Sequence, residues 1–314
     1  MSLNRMNRRQ LLQAAAVGAL ALSGIGGARA AGPVTLRLID PWAGTTFGDA
    51  HNAQIQRFMD SHPNTKIERL DIPFKDFRQM LVQGAAGGEL PDIALIDNPD
   101  FHSFAALGVL ADLTSQIKAW GKADLYFPGH WSSTVFEGVN HGVPCFSNCL
   151  AFWTNSDMKK EAGIEPPVTF DDLRAAAKKL TAGSRFGIAM DADHSEEGVF
   201  QWLAFLWATG SDLGTINDAG GQKALQLWVD LVNEGSMSKG CLGWNQWAVK
   251  DEFGNKRAAM MLSGPWFIPE MKKSYPDVKW EVTALPKDKI VTSILGGENY
   301  GVIKTSPNID AAWE

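Results

Sequence analysis

Two acids sit where strands should end, in Asp40-Pro41-Trp42 and in Asp97-Asn98. A carboxylate accepts hydrogen bonds from hydroxyl groups, and an indole ring packs against a flat face of C–H groups. An acid beside a tryptophan at a strand end therefore suits a polyhydroxylated ligand. Trp202, Trp244 and Trp266 offer further rings, and Gly296-Gly297-Glu298-Asn299 combines backbone freedom with two hydrogen-bonding side chains. Each candidate also has an ordinary structural reading. Trp42 can be a core aromatic, Asp97 the N-cap of a helix that follows, Trp202 part of a buried stripe, Trp266 packing under a helix, and the paired glycines a surface turn. Trp244 and Trp247 read equally well as ligand platforms or as packing.

Other chemistries find less support. There is no GxSxG, HExxH or GxxxxGK[ST] pattern, and the six histidines show no metal-ligand spacing. No cofactor and no metal are expected. A ferric-ion receptor would want paired tyrosines, whereas Tyr126, Tyr275 and Tyr300 are far apart. A glycosidase needs two facing carboxyl groups ~5 to 9.5 Å apart. Acids are plentiful, so a secreted carbohydrate-active enzyme is the alternative. Cys145 and Cys149 can pair only if Ser147-Asn148 forms a turn, because four extended residues span ~13 Å against the ~7 Å a disulfide tolerates.

The elements that must position these residues alternate. Val34 to Asp40, Lys66 to Asp71 and Ile93 to Ile96 read as strands, with helices from Gly48 to Ser61 and Lys75 to Ala86 between them. That order means βαβ units, a mainly parallel sheet, and a ligand outside the carboxyl ends of the strands. Val139 and Val143 flank Asn140-His141-Gly142, a hairpin signal, and Leu150 to Trp153 suits a strand buried on both faces. Helices follow at Phe170 to Leu180, capped by Thr169, at Val199 to Ala208 and at Ala219 to Val232; Phe186 to Met190 and Trp280 to Leu285 are further strands.

Several stretches resemble extracellular solute-binding proteins of ABC sugar importers, the maltose-binding-protein-like receptors. They are Gly142-Val143-Pro144, Trp153-Thr154-Asn155-Ser156-Asp157, Glu161-Ala162-Gly163-Ile164, Pro166-Pro167 and Thr169-Phe170-Asp171-Asp172-Leu173. Leu90-Pro91-Asp92-Ile93 and Leu107 to Leu113 belong with them, as do Phe253 to Trp266 (FGNKRAAMMLSGPW) and Gly296-Gly297-Glu298-Asn299 with Lys304 to Trp313. The family commonly has Tyr in place of Trp153 and Gly in place of Lys256. The resemblance implies an α/β fold of two lobes, each a mainly parallel sheet flanked by helices, with the ligand cleft between them. It further implies a sugar or polyol ligand, delivery to membrane permease subunits, a monomer, and Trp266 stacked on sugar. The first lobe is expected over residues 31–145 plus 292–314 and the second over 146–291, with hinges near Val143 to Ser147 and Pro286 to Ile294.

Residues 1–30 read as an address. Arg8 and Arg9 precede a short apolar run, and Ala28-Arg29-Ala30 is a small-x-small cleavage pattern. Asn7-Arg8-Arg9-Gln10-Leu11-Leu12 resembles the twin-arginine export motif; an ordinary secretory signal with adjacent arginines is the alternative. The expected location is the periplasm, with cleavage near Ala30. The chain's net charge of −6 falls to about −10 without the leader, which disfavours nucleic acid and anionic membranes as partners. About 284 residues remain, enough for two domains. The chain stops at Glu314, early in a helix expected to start after Ser306, so a C-terminal part of the second lobe is expected to be missing.

Overall fold

The computed structural model describes residues 32–42 and 44–314, and the expected leader lies outside them. Strands β1 (Val34–Asp40), β2 (Thr65–Asp71), β3 (Ile93–Asp97), β4 (Gly142–Pro144) and β9 (Glu298–Val302) form one sheet in the order β2-β1-β3-β9-β4. A second sheet takes β5 (Ala151–Asn155), β6 (Phe186–Ala189), β7 (Ala258–Ser263) and β8 (Trp280–Thr283) in the order β8-β5-β7-β6.

Each sheet is parallel except for one strand. In the first, β9 is antiparallel to both β3 and β4; in the second, β5 is antiparallel to both β7 and β8. These two strands are the ones by which the chain enters a lobe from the other lobe. A strand arriving from the cleft must start where its neighbours finish, so it runs against them. Just before the two reversed strands, Asn148–Cys149 pairs with Leu295–Gly296 in a two-stranded ribbon that ties the crossings together. The expected hinge segments abut this ribbon.

The helices cover the sheets as their apolar spacing demands. On the first, α2 (Phe74–Gly87) contributes Phe77 and Leu81, and α3 (Asn98–Ala106) contributes Phe101 and Phe104, to a core with Ile39, Ala94 and Ile96; α1 (Thr46–Ser61) lies between β1 and β2 in the chain. The second sheet is buried on both faces. Phe152 joins α4 (Phe170–Leu180), α5 (Glu196–Ala208) and α6 (Ala219–Asn233) on one side, while Trp153 meets α7 (Gln246–Gly254) and α8 (Phe267–Ser274) on the other. Burial on both faces explains why β7 reads AAMMLS, with all six residues buried, instead of alternating. Each such large side chain contributes roughly 1.5–3 kcal/mol. The N-cap of α4 is the expected Thr169, in a capping box closed by Asp172.

Three local expectations change. The hairpin turns at Glu137-Gly138, where both φ angles are positive (49° and 81°), and not at Asn140-His141-Gly142; Gly142 instead pairs with Gly301 inside the main sheet. Two successive positive φ values are the requirement of a tight primed turn, and the Val-x-x-x-Val pattern concealed it. Lys256 takes the left-handed conformation itself (φ 62°), so the turn into β7 keeps its shape without glycine. Ser306 does not cap a helix: it accepts from the Asn308 amide and donates to Asp92, and the last helix runs Ile309–Trp313. All three cysteines are unpaired.

Candidate functional site

The carboxyl ends of the parallel strands and the amino ends of the reversed ones meet at a cleft between the lobes. Asp97, last in β3, lies directly opposite Glu298, first in β9. Facing residues in neighbouring strands have Cβ atoms only ~4.5–5.5 Å apart, and like charges there repel. Both side chains line the cleft with Trp42 and Gly297. The Trp42 indole N–H donates to Glu298 Oε1 at 2.8 Å, which fixes ring and carboxylate together. Glu298 is 2% exposed, and its Oε2 has no partner. Gly297 has φ 131°, and a Cβ there would stand 2.2 Å from the Phe146 carbonyl oxygen, so only glycine allows the crossing strands this close.

The opposite wall belongs to the second lobe. Ser195 caps α5 through the Glu197 amide, which sets Glu196 and Glu197 in its first turn at the cleft. Two acids there complement the helix dipole. Glu197 also accepts from the Gln246 amide at 3.2 Å, tying the start of α7 to the start of α5. Trp247 of α7 and Trp266, just ahead of α8, supply rings, with Phe200 between them and the ribbon. Outside the cleft, Lys250 lies 4.9 Å from the Trp247 ring centroid and pairs with Asp251 at 2.9 Å. The walls stand close together, leaving a cavity of about 70 Å³, below the ~300–1,000 Å³ usual for ligand pockets. One contact joins the lobes across it: Glu270 Oε1 of α8 accepts from the Thr46 hydroxyl at 2.9 Å and the Thr46 amide at 3.3 Å, at the first turn of α1.

Burial and mutual repulsion raise the pKa values of the cleft's carboxyl groups above their ordinary range. Burial, then the charges of Glu196 and Asp100, raises Asp97 well above it; burial, then Asp97, does the same for Glu298. Glu196 is raised to about 7 by the protein around it and then by Glu197 and Asp100, although its side chain keeps contact with solvent, which softens that shift. Among the described residues no group of three or more His, Cys, Asp and Glu side chains is arranged to hold a metal, and no described helix is long and apolar enough to cross a membrane.

The structure brings Trp42, Asp97, Trp266, Gly297 and Glu298 together and places four other candidates elsewhere. Asp40 is fully buried beneath the cleft. Its carboxylate pairs with Arg69 at 2.8 Å and with His51, whose other ring nitrogen meets the Tyr300 hydroxyl. It also accepts from the Trp42 amide at 2.7 Å, so it positions the ring instead of facing a ligand. Burial acts to raise its pKa, but His51, Arg69 and that amide together hold it below the ordinary value. Asn299 is fully buried and hydrogen-bonded to Ser133, because alternation along β9 turns it away from the face that Glu298 presents. Trp202 and Trp244 pack against the second lobe's core. At Asp97 the side chain makes no capping bond to α3. Sequence reasoning missed Glu196, Glu197, Phe74 and Asn148 on the cleft wall. The signal for the two glutamates was Ser195-Glu196-Glu197, a cap with acids after it, at the end of a strand.

The model of the family described as bacterial extracellular solute-binding protein matches residues 44–314. A lactose-binding protein of Rhizobium radiobacter is 29% identical over 282 residues, which cover 82% of this chain and 64% of that protein. A putative binding protein of Brucella abortus is 24% identical over 268 residues, again 82% of this chain, and the chain spans 65% of its length. Among solved structures, an ABC transporter solute-binding protein of Thermotoga lettingae bound with α-D-tagatose superimposes with a TM-score of 0.83. It is 26% identical, and the match covers 89% of this chain and 75% of that one.

Proposed function

Because the chain belongs to the bacterial extracellular solute-binding protein family, we propose that it is the periplasmic receptor of an ABC importer, closing two lobes over a sugar or related polyol and handing it to the membrane permease. The observation that carries this reading is the cleft itself. Carboxylates and a tryptophan from one sheet face tryptophans and carboxylates from the other, and a hydrogen bond from the Thr46 hydroxyl to Glu270 closes the gap. Trp42 and Trp266 offer flat apolar faces, Asp97 and Glu298 accept from hydroxyls, and Gly297 lets backbone approach the ligand. The two relatives with named sugars, a lactose-binding protein and a receptor bound with tagatose, support a carbohydrate ligand.

The lobes are residues 31–145 with 292–314, and 146–291, with bending at the ribbon Asn148–Cys149 and Leu295–Gly296. The receptor acts as a monomer after export and cleavage near Ala30. Binding and hinge closure are its whole mechanism, with no bond made or broken. Titration calorimetry across mono- and disaccharides and polyols, paired with solution scattering, tests this. Saturable heat with a more compact scattering curve and no product is the expected result. Product formation would make it a carbohydrate-active enzyme, and binding without any change in scattering would remove the closure step.

A further inference from the structure

The cleft is unbalanced in charge. Four carboxylates line it, those of Asp97, Glu196, Glu197 and Glu298, and among the described residues no lysine, arginine or histidine side chain does. The cations nearby are engaged elsewhere: Arg69 with Asp40, Arg78 with Asp100, and Lys250 with Asp251. His130 lies behind Gly297 and is kept neutral by burial, which lowers its pKa. Helices α2, α3, α5, α7 and α8 begin at the cleft and bring about half a positive charge each. Roughly two and a half partial positive charges thus face four carboxyl groups.

Two of these acids are paired by the fold itself. Asp97 and Glu298 face each other across adjacent strands, an arrangement that costs stability unless something comes between them. Glu298 is 2% exposed, yet its Oε2 meets no donor while Oε1 is taken by Trp42. Glu298 lines the cleft, and a buried carboxylate oxygen without a partner there can accept from a ligand's donor. A neutral sugar brings hydroxyl donors but no charge, and closure over it would desolvate the carboxylates without compensation. A protonated amine brings three donors and the missing charge on one atom.

Taking the cleft as a solute site, as proposed above, we infer that its solute is an aminated sugar or amino polyol, with the ammonium group seated between Asp97 and Glu298 and its apolar face against Trp42 and Trp266. The acids at the start of α5 close over the same charge from the second lobe. The raised pKa values are what such a site shows when empty, and binding then releases protons as the carboxyl groups ionise.

The test is calorimetry on matched pairs at about pH 7.5, where the hexosamine is mainly protonated: glucosamine with glucose, galactosamine with galactose, mannosamine with mannose, and the N-acetylated form of each amine. The amine of at least one pair should bind about tenfold or more tighter than its hydroxyl parent. N-acetylation should abolish the preference, and so should acidification to about pH 5.5, which protonates the carboxyl groups. E298Q should cut the amine preference, read as the ratio of the amine's affinity to its parent's in the same variant, by about tenfold. If E298Q does not fold, E196Q, on the solvent-facing side of the cleft, serves the same purpose. Equal or tighter binding of the neutral or acetylated sugars overturns the amine and leaves the receptor reading intact. Binding of none of these sugars at millimolar concentration overturns the amine, and the receptor reading falls with it only if the disaccharides and polyols named above fail to bind as well.

Discussion

Glu270 and Thr46 belong to different lobes, so the two hydrogen bonds between them exist only while the cleft is closed. Glu270→Ala removes both. A hydrogen bond to a charged acceptor is worth ~1.5–3 kcal/mol when well formed. Here the hydroxyl bond is of ordinary length at 2.9 Å, the amide bond is long at 3.3 Å, and both partners are half-buried. Solvent screening brings the pair to about 1–2 kcal/mol. Ligand affinity includes the free energy of closure, so Kd should rise by roughly 5- to 30-fold. The loss should appear in the dissociation rate, because encounter occurs with the open form. Neither partner packs in a core, so the unfolding temperature without ligand should hardly move. Stopped-flow tryptophan fluorescence and calorimetry on the same variant separate these effects. A Kd and dissociation rate both unchanged would show that this contact does not hold the lobes, and a large fall in unliganded stability would mean that it serves the fold.

Trp42→Ala and Trp266→Ala should each cost on the order of 1 to 3 kcal/mol of sugar binding, about 5- to 150-fold in Kd by calorimetry; intact folding with unchanged affinity in both would move the cleft elsewhere. Lys256→Gly should raise stability by up to about 1 kcal/mol in urea melts, since the left-handed backbone costs a side chain ~1–2 kcal/mol and glycine returns only part of that as entropy; a loss of stability would refute the strain. Asp97, Glu298 and Glu196 have folded pKa values above their unfolded ones, so the ligand-free protein should become more stable as pH falls from about 8 to about 5.5, when the folded state takes up protons before the unfolded chain does. Asp40 acts in the opposite sense, its contribution being lost only in stronger acid, below about pH 4, and a melting temperature that falls steadily from pH 8 downward would contradict the assignment.

Much of the architecture was legible because local and global signals agreed. The alternation of short strands and longer helices through residue 97, the Thr169 cap and the doubly buried strand after Leu150 all rest on side chains whose spacing reports burial directly. The site was legible only in part. The rule that ligands lie beyond strand carboxyl ends pointed to Trp42 and Asp97, but it does not reach the reversed strands, and Glu298 was visible through family resemblance alone. Asp40 looked like a ligand because nothing in its neighbourhood of sequence reveals Arg69 and His51 converging on it. Glu196 and Glu197 were overlooked because the apolar run was read as starting at Val199, which left the first turn of the helix unread.

The reversed strands also decide how force and motion are shared when the cleft shuts. Glu298 follows the ribbon by two residues and Asn148 lies within it, so with the bending proposed at the ribbon both should travel little. Trp247, Trp266 and Glu270 belong to the second lobe and move with it. One wall is therefore a fixed anvil that a solute meets already assembled, with Trp42 pinned to Glu298, and the other arrives afterwards. Substitutions on the anvil should govern how often an encounter is productive, and those on the moving wall how long the captive stays.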